Sequence, residues 1–334
     1  MIARRSALAI LVGLAASAVA GRAVAATIGA GVTRFDRALD AFVDAGATVE
    51  VLGRGYGWAE GPVWLPAQQA LLFADPPNNV VHRWTRTGGV TPVLSPSGLQ
   101  TAIPAGVREA GANGLALDHR GRLVVADSGT RAIVRVDLRT KRRTVLADRF
   151  EGKRFNSPND LVVARSGAIY FSDPPYGFAK GDESPLRELA HNGVYRLAPD
   201  GKVALLDGEL RRPNGVALSP DGRTLYVALS DETRPEVLAY TLGPAGMPTG
   251  RRVFCDMRAE FARGWPGLPD GMDVDAAGRV LATGPGGVHV LAPDGRRLGL
   301  IATGKAVANC CIGEGGRSLF LTSHDMLARV ALRG

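Results

Sequence analysis

Six polar side chains recur along this chain of 334 residues, and each opens a short apolar run. They are acids or amides, and in chain order they are Glu60, Asn113, Asn159, Asn214, Asp270 and Asn309. Neighbouring members of the set lie about 40 to 55 residues apart. Carboxylate and amide oxygens are the ligands that a hard divalent cation such as Ca²⁺ prefers. A fold that brings the six side chains to one axis would therefore create a site for such a cation.

The segments that contain these residues repeat one pattern, in which a polar residue precedes an apolar run. They read EGPVW, NGLALD, NDLVV, NGVALS, DGMDVD and NCCIG. Most continue through a turn into a second apolar run, as in HRGRLVVAD and PDGRTLYVA. Units of about 40 to 55 residues built from short strands are typical of β-propellers. The sequence thus predicts an all-β fold, a six-bladed β-propeller with the six polar side chains near its central axis.

Turn signals separate the paired apolar runs and support the same architecture. Each contains a glycine that can adopt positive φ, and they lie at 118–121, 199–201, 219–222, 276–278 and 293–295. The chain contains 43 glycines and 21 prolines, but its hydrophobic content of 46% is enough for a folded core. We therefore interpret the glycines and prolines as breaks between strands, and we predict one propeller domain over residues 48–333.

The first 25 residues have the features of an export signal. Arg4 and Arg5 precede an apolar run at 7–20, and small residues at 18–20 and 23–25 fit an A-x-A cleavage motif. Because the run is too short for a membrane span, we predict a signal peptide at 1–25 and a periplasmic or secreted protein. An uncleaved anchor is the alternative. The arginine pair leaves the twin-arginine route open beside general secretion.

Residues 26–47 are predicted to form an N-terminal segment with a short amphipathic helix that packs on the outside of the propeller. Apolar residues recur there at helical spacing: Phe35, Ala38, Leu39, Phe42 and Val43. Thr33 is the expected N-cap, and Gly46 is the expected end. The next segment, ATVEVLGRG, is expected to be a strand that pairs with the last strands of the chain. This pairing would close the ring and leave only short edges exposed.

The charge pattern argues against nucleic acid as a partner. The formal net charge is +8, and the predicted signal peptide holds three arginines and no acid. The remaining positive excess is small, and the sequence shows no basic face with interleaved aromatic residues. The basic run at 141–143 is interpreted as a solvated turn. We expect no nucleic-acid partner and no stable membrane association after signal removal.

The three cysteines do not form a metal-binding pattern. They are Cys255, Cys310 and Cys311, and no CxxC spacing occurs, which argues against a zinc–thiolate site. An oxidising compartment would permit a disulfide from Cys255 to one of the vicinal pair. Buried free thiols are the favoured interpretation, because Cys310 and Cys311 lie in an apolar strand context. The sequence also lacks the G-x-S-x-G motif of serine hydrolases.

Several longer segments occur in the order found in a known family. They read EGPVW (60–64), LLFADPPNN (71–79), NSPNDLVV (156–163), IYFSDPPYG (169–177), PNGVALSPDGRTLYVA (213–228) and PDGMDVDAAG (269–278). Over roughly residues 48–333, the chain resembles the gluconolactonase-like members of the senescence marker protein-30/gluconolactonase family. The resemblance implies a six-bladed propeller with a divalent cation, often calcium, in its central channel. Members of the family hydrolyse sugar lactones, and relatives hydrolyse organophosphates.

The resemblance also implies roles for individual residues. The glutamate of EGP, Glu60, and the amide of PNG, Asn214, correspond to metal ligands. The aspartate of PDG, Asp270, corresponds both to a metal ligand and to the proposed general base. The amide of SPND, Asn159, is expected at or beside the metal and in contact with the substrate. Asn113 matches a position that faces the same channel, and it is expected to contact the substrate.

One further residue, Tyr176 in SDPPYG, is a candidate for the substrate pocket, although it could instead shape a turn at the channel mouth. We expect one divalent cation, Ca²⁺ by preference, with Mg²⁺, Mn²⁺ or Zn²⁺ as alternatives. The predicted activity is hydrolysis of a small-molecule sugar lactone, with the carbonyl polarised by the metal and Asp270 as general base. The alternatives are phosphotriesterase activity at the same site and a non-catalytic propeller that binds a ligand or protein.

Overall fold

Antiparallel strands supply most of the regular structure in the computed structural model of the protein, which describes residues 28–333. They form six sheets of four or five strands, and each sheet is one blade around a central axis. The prediction of an all-β, six-bladed β-propeller is confirmed. The signal peptide predicted at 1–25 lies outside the described residues.

The strands are numbered in chain order. The first two, β1 (Gly31–Arg34) and β2 (Val49–Arg54), are the outermost strands of blade 5 and blade 6, respectively. Blade 1 contains β3 (Glu60–Leu65), β4 (Ala70–Asp75), β5 (Val80–Thr85) and β6 (Gly89–Leu94). Blade 2 contains β7 (Ala112–Leu117), β8 (Leu123–Asp127), β9 (Ala132–Val136) and β10 (Arg143–Ala147). A separate hairpin follows, formed by β11 (Arg149–Phe150) and β12 (Lys153–Arg154). Blade 3 contains β13 (Leu161–Val163), β14 (Ile169–Asp173), β15 (Gly193–Leu197) and β16 (Val203–Asp207).

The second half of the ring follows the same order. Blade 4 contains β17 (Pro213–Leu218), β18 (Thr224–Leu229), β19 (Glu236–Leu242) and β20 (Pro248–Asp256). Blade 5 contains β21 (Met272–Val274), β22 (Val280–Gly284), β23 (Gly287–Leu291) and β24 (Arg297–Ala302), with β1 paired outside β24. Blade 6 contains β25 (Asn309–Gly313), β26 (Ser318–Ser323) and β27 (Met326–Ala331), with β2 outermost.

Helices are few and short. The α-helix α1 (Arg258–Ala262) connects blades 4 and 5. Single 3₁₀ turns lie at Arg37–Ala41, Pro66–Gln68, Gly181–Glu183 and Glu314–Gly316. Within residues 28–333, no helix has the length and apolar character needed to cross a membrane.

The first strand of each complete blade is its innermost strand, and neighbouring inner strands contact one another around the axis. These strands are β3, β7, β13, β17, β21 and β25. Each of the six repeated polar residues lies inside one of these strands or two residues before it. The repeat in the sequence therefore corresponds to the blades, and its acids and amides reach the axis.

The ring is closed by strands from both ends of the described chain. β2 pairs antiparallel with β27, in a register that runs from Val49 opposite Val330 to Arg54 opposite Met326. The expected pairing of the strand after residue 46 with the last strands is thus confirmed. Because of this pairing, blade 6 has four strands, and the ring of blades closes without an exposed inner strand edge.

The N-terminal segment differs from the amphipathic helix predicted around residues 33–46. Thr33, the predicted N-cap, lies in β1 and pairs with Leu300 of β24. Only Arg37–Ala41 is helical, as a 3₁₀ turn, and the carboxylate of Asp36 caps it by accepting from the backbone N–H of Ala38 at 2.8 Å. The free outer edge of blade 5 is the physical reason, because it offers hydrogen bonds that a longer helix would forfeit.

The packing of this segment agrees with the prediction only in part. Leu39, Phe42 and Val43 are buried against blades 5 and 6. Phe35 is 50% exposed, although helical spacing placed it on the same face. Since a single 3₁₀ turn does not keep the 3.6-residue period, the apolar set predicted from that period divides between core and solvent.

Apolar side chains between neighbouring blades form the core. Leu72 and Ala74 of blade 1 pack with Leu123 and Val125 of blade 2, and all four are buried. Burial of one leucine or valine side chain contributes roughly 1.5–3 kcal/mol. Comparable clusters lie between each of the other neighbouring blades. This packing fixes the relative positions of the inner strands and of the polar residues they carry.

The cysteines of the described chain are free thiols. Cys255 lies in the outer strand of blade 4, and Cys310 and Cys311 lie in the inner strand of blade 6. Because these blades are not neighbours, the alternative of a disulfide has no geometric support. Cys255 and Cys310 are buried, as favoured from the sequence, and Cys311 is partly exposed. Burial raises the pKa of the Cys310 thiol well above its ordinary value.

Candidate active site

One end of the central channel opens into a cavity of about 690 Å³. All six residues predicted to form the site line it: Glu60, Asn113, Asn159, Tyr176, Asn214 and Asp270. The wall also contains residues that the sequence did not single out, among them Trp58, Glu109, Ser230, Phe261 and Trp265. The predicted residues come from five different blades, so the closed ring is what brings them together.

Irregular strand pairing directs three of these side chains. The register shifts at the same point of three inner strands, namely Glu60/Val63 in β3, Ala112/Leu115 in β7 and Pro213/Val216 in β17. At each shift, two residues oppose a single residue of the neighbouring strand. Such a bulge bends the strand and changes the direction of its side chains. Because each shift includes or adjoins Glu60, Asn113 or Asn214, the bulges direct these residues into the cavity.

The glycine that follows several of the polar residues is required by close contact between blades. A Cβ on Gly61 would lie under 3.0 Å from the backbone oxygen of Asn113, and one on Gly215 would lie equally close to the backbone oxygen of Asp270. The backbone of one blade thus rests against the polar residue of the next. In the third blade Asp160 takes the place of this glycine, and its Oδ2 accepts from the N–H of Val216 at 2.9 Å.

Gly215→Ala is therefore expected to destabilise the protein by about 1–3 kcal/mol, because the added methyl group requires β17 to separate from residue 270. Urea unfolding followed by circular dichroism gives the change. The matched control is Gly250→Ala in β20, where a Cβ has no atom within 4 Å. The control should change stability by less than about 0.5 kcal/mol. Equal stability of the two variants would contradict the contact.

Glu60 is buried and held by two hydrogen bonds. Its Oε1 accepts from the indole N–H of Trp58 at 3.1 Å, and its Oε2 accepts from the backbone N–H of Gly61 at 3.1 Å. Burial raises the pKa of Glu60 to about 8, and the negative charges of Asp160 and Glu109 add to this effect. The carboxylate is thus fixed in orientation but short of positive charge.

Asp270 faces the cavity from blade 5 and is partly exposed to it. Burial raises its pKa well above the ordinary value, and the charges of Glu60, Asp160 and Glu109 raise it further. The backbone N–H of Gly271 opposes this shift. Several carboxylates therefore share a poorly solvated space, an arrangement that an added cation would stabilise.

The amide of Asn214 is oriented by a short hydrogen-bond chain. The hydroxyl of Ser230 donates to the carbonyl oxygen of Pro269 at 2.6 Å, so this hydroxyl accepts from the Nδ2 of Asn214, which lies 2.8 Å away. The amide nitrogen therefore faces Ser230, and the amide oxygen lies on the opposite side. The amide oxygen of Asn214 is therefore available to coordinate a cation.

Asn113, Asn159 and Tyr176 complete the predicted set. The two asparagines are buried, and their blades are joined by a hydrogen bond from the backbone N–H of Gly114 to the backbone oxygen of Asn159 at 2.7 Å. The hydroxyl of Tyr176 is buried and forms no hydrogen bond of ordinary geometry among residues 28–333, although Ser230 lies close enough to lower its pKa. Burial raises the pKa of this hydroxyl, so it remains a neutral donor. An unpaired donor in a cavity wall is suited to an oxygen of a bound molecule.

Asn309 differs from the other five members of the repeat. It lines a separate pocket of about 650 Å³ at the other end of the channel, together with Asp160 and Cys310. Its Oδ1 accepts from the backbone N–H of Cys310 at 2.8 Å, and its amide packs against Gly271. The expectation of six polar side chains around one site is therefore wrong for Asn309. Its amide carbon occupies the space that a Cβ on residue 271 would need, which places the side chain between the inner strands of blades 5 and 6.

The donor set has the character of a hard-cation site. No group of three His, Cys, Asp or Glu residues with metal-site geometry occurs within residues 28–333. The cavity instead combines the carboxylates of Glu60 and Asp270 with the amides of Asn159 and Asn214. An all-oxygen set of this kind fits Ca²⁺ or Mg²⁺ better than Zn²⁺, which favours nitrogen and sulfur ligands. The residues present therefore fit the expected cation.

The cavity residues that the sequence analysis did not predict lie mostly in connections outside the repeat. Arg108 and Glu109 belong to the link between β6 and β7, and Phe261 and Trp265 lie in or just after α1. These connections differ in length and sequence between blades, so no periodic signal marks them. Trp58 is the exception, because its position two residues before Glu60 places it at the mouth of the same inner strand.

Comparisons with known proteins agree with this fold. The family model described as SMP-30/Gluconolactonase/LRE-like region matches residues 58–325. A gluconolactonase of Zymomonas mobilis is 48% identical over 303 residues, which cover 90% of this chain and 85% of the relative. A solved gluconolactonase from Xanthomonas campestris is 35% identical with a TM-score of 0.78, over 92% of this chain and 97% of its own. A calcium-binding protein, regucalcin, from Agrobacterium tumefaciens shares the fold at 22% identity and a TM-score of 0.66, over 86% of this chain and 95% of its own.

Proposed function

The chain belongs to the SMP-30/gluconolactonase/LRE family, and from this premise we propose that it hydrolyses a sugar lactone with a divalent cation and Asp270 as the general base. The chain is a hydrolase of the lactonase type, as its similarity to two gluconolactonases establishes. The single observation that carries the proposed mechanism is the meeting of Glu60 and Asp270 with two asparagine amides in one cavity.

The cation is proposed to bind Glu60, Asn214 and Asp270, with Asn159 as a direct ligand or through water. The fixed orientations of Glu60 and Asn214 support this assignment, because each has a protein hydrogen bond that determines which atoms face the cavity. Ca²⁺ is the favoured ion, since it accepts flexible sets of carboxylate, amide and water oxygens. When bound, such a cation polarises the lactone carbonyl and stabilises negative charge on its oxygen.

Asp270 is proposed to take the proton of a water molecule as the oxygen of this water attacks the carbonyl carbon. The bond between that carbon and the ring oxygen then breaks, and a proton goes to the released ring oxygen. The products are a carboxylic acid and a hydroxyl on one open chain. Partial exposure of Asp270 to the cavity supports this role, because a base needs direct access to water and substrate.

The rest of the wall is suited to holding a sugar-derived ring. Asn113, Asn159 and the hydroxyl of Tyr176 offer polar contacts. Trp58 and Trp265 offer flat apolar surfaces on which the carbon face of a ring can pack. We assign orientation of the substrate to these groups, and proton transfer to Asp270.

A panel of substrates tests the proposal. Acid release from glucono-δ-lactone, a pentonolactone and an unsubstituted lactone is followed near neutral pH, with the spontaneous rate subtracted, beside a phosphotriester. Turnover of at least one hydroxylated lactone is expected. Preferred turnover of the phosphotriester would favour the alternative activity at the same site. No turnover of any compound by protein supplied with Ca²⁺ would favour a binding propeller.

Export is the remaining part of the proposal. The basic start, the apolar run at 7–20 and the two A-x-A motifs support cleavage near residue 20 or 25 and a periplasmic or secreted mature protein. N-terminal sequencing of protein produced with the complete leader measures this. The expected mature start is near Gly21 or Ala26. A membrane-bound product that retains Arg4 would show that the segment is an anchor.

A further inference from the structure

The connection between β6 and β7 builds a part of the cavity wall that the repeat does not supply. It is held at several points, since the backbone N–H of Arg108 donates to the oxygen of Gly177 at 2.8 Å and Val107 bridges to Phe178. A further hydrogen bond runs from the N–H of Leu99 to the oxygen of Ala110 at 2.8 Å. This connection is therefore fixed against the loop that carries Tyr176.

Glu109 projects from this fixed connection into the cavity. Its Oε1 accepts from the guanidinium of Arg108 at 2.6 Å. Its Oε2 is buried and forms no hydrogen bond of ordinary geometry with the described residues, although the amide of Asn113 lies close enough to lower the pKa that burial raises. Leaving a buried carboxylate oxygen unpaired is costly, so the folded protein holds an acceptor ready for a donor that comes from outside.

A hydroxyl group of the substrate fits this position better than a cation does. Arg108 already neutralises part of the charge of Glu109, which lowers its value as a metal ligand. A sugar lactone carries hydroxyl donors on the ring carbons beside its carbonyl. Glu109 shares the cavity with Asp270 and Asn113, so a lactone placed against Asp270 has Glu109 in the surrounding wall.

We propose that Glu109 is a specificity-determining residue, which accepts hydrogen bonds from the ring hydroxyls of the substrate and selects polyhydroxylated lactones over unsubstituted ones. This inference rests on the proposed lactone hydrolysis. Beyond that function, it assigns the discrimination between hydroxylated and unsubstituted lactones to a side chain in the β6–β7 connection. A site built to pair with a substrate hydroxyl rejects analogues without it much more strongly than an apolar pocket does.

Glu109→Gln tests the inference with two substrates, glucono-δ-lactone and δ-valerolactone, which lacks hydroxyls. For glucono-δ-lactone we expect kcat/KM to fall by about 10- to 100-fold, mainly through a higher KM. For δ-valerolactone we expect a change of less than about twofold, because no hydroxyl is present to pair with Glu109. The matched control is Glu209→Gln, since Glu209 is exposed and lies outside the cavity wall.

Two further measurements separate this role from others. Calorimetric titration with Ca²⁺ should show a much smaller loss of affinity in Glu109→Gln than in Glu60→Gln, because Glu109 acts on Glu60 and Asp270 only through its charge. The thermal midpoints of wild type and Glu109→Gln should agree. Equal losses on both lactones, a loss of Ca²⁺ affinity as large as that of Glu60→Gln, or unchanged kinetics on glucono-δ-lactone would each overturn the inference. Failure of the wild type to hydrolyse either lactone would instead contradict the proposed function itself, so the two failures are distinguishable.

Discussion

Asp270→Asn is expected to slow lactone hydrolysis by about a hundred- to ten-thousand-fold, even when enough metal is present to fill the site. The substitution keeps an oxygen donor of similar size at the cavity wall. It removes the group that accepts the proton from water, together with one negative charge. Initial rates of acid release near neutral pH, at saturating Ca²⁺ and lactone, measure the effect.

Two comparisons make this result specific. Asn113→Ala should mainly raise KM, because Asn113 is assigned to the substrate and not to proton transfer. Calcium titration of Asp270→Asn establishes the metal concentration at which its site is filled. If the metal-saturated variant turns over at nearly the wild-type rate, then Asp270 is only a ligand and the base lies elsewhere.

Glu60→Gln is expected to weaken Ca²⁺ binding by about tenfold or more, because hard cations respond strongly to the number of charged ligands. The hydrogen bonds from Trp58 and Gly61 fix the Glu60 side chain, and an amide can retain at most part of this arrangement. Isothermal titration of metal-stripped protein measures the affinity, and elemental analysis measures occupancy after dialysis.

Glu209→Gln is the control for the loss of one carboxylate, since Glu209 is exposed and outside the cavity. Its Ca²⁺ affinity should equal that of the wild type. Tight and equal occupancy in wild type and Glu60→Gln would show that Glu60 is not a ligand. Weaker binding in both variants would show a general effect of charge on the protein.

The repeat was sufficient to predict the fold and five of the polar residues that line the cavity. Glu60, Asn113 and Asn214 each open an inner strand, and this regularity arises because every blade must place the same short strand at the axis. The turn at 118–121 was predictable for a similar reason, since Gly121 has a φ of 69° and glycine adopts such values without strain. Features required by every blade leave a periodic signal.

Features required only once were not predictable. Glu109 faces the cavity because the β6–β7 connection is tied to Gly177, a contact between distant segments that no local pattern encodes. Asn309 carries the signature of the repeat, yet its side chain lies at the other end of the channel, where its amide packs against Gly271. The N-terminal helix is shorter than predicted because the residues of β1 pair with β24 instead.

The central claim is that a divalent cation in this cavity is needed for lactone hydrolysis, and one measurement tests it most directly. Wild-type protein is treated with a chelator, dialysed, checked for residual metal, and assayed on the preferred lactone near neutral pH before and after Ca²⁺ is added. We predict that the stripped protein hydrolyses the lactone no faster than the spontaneous reaction and that Ca²⁺ restores activity. A folded, metal-free protein that retains the full rate would contradict the claim.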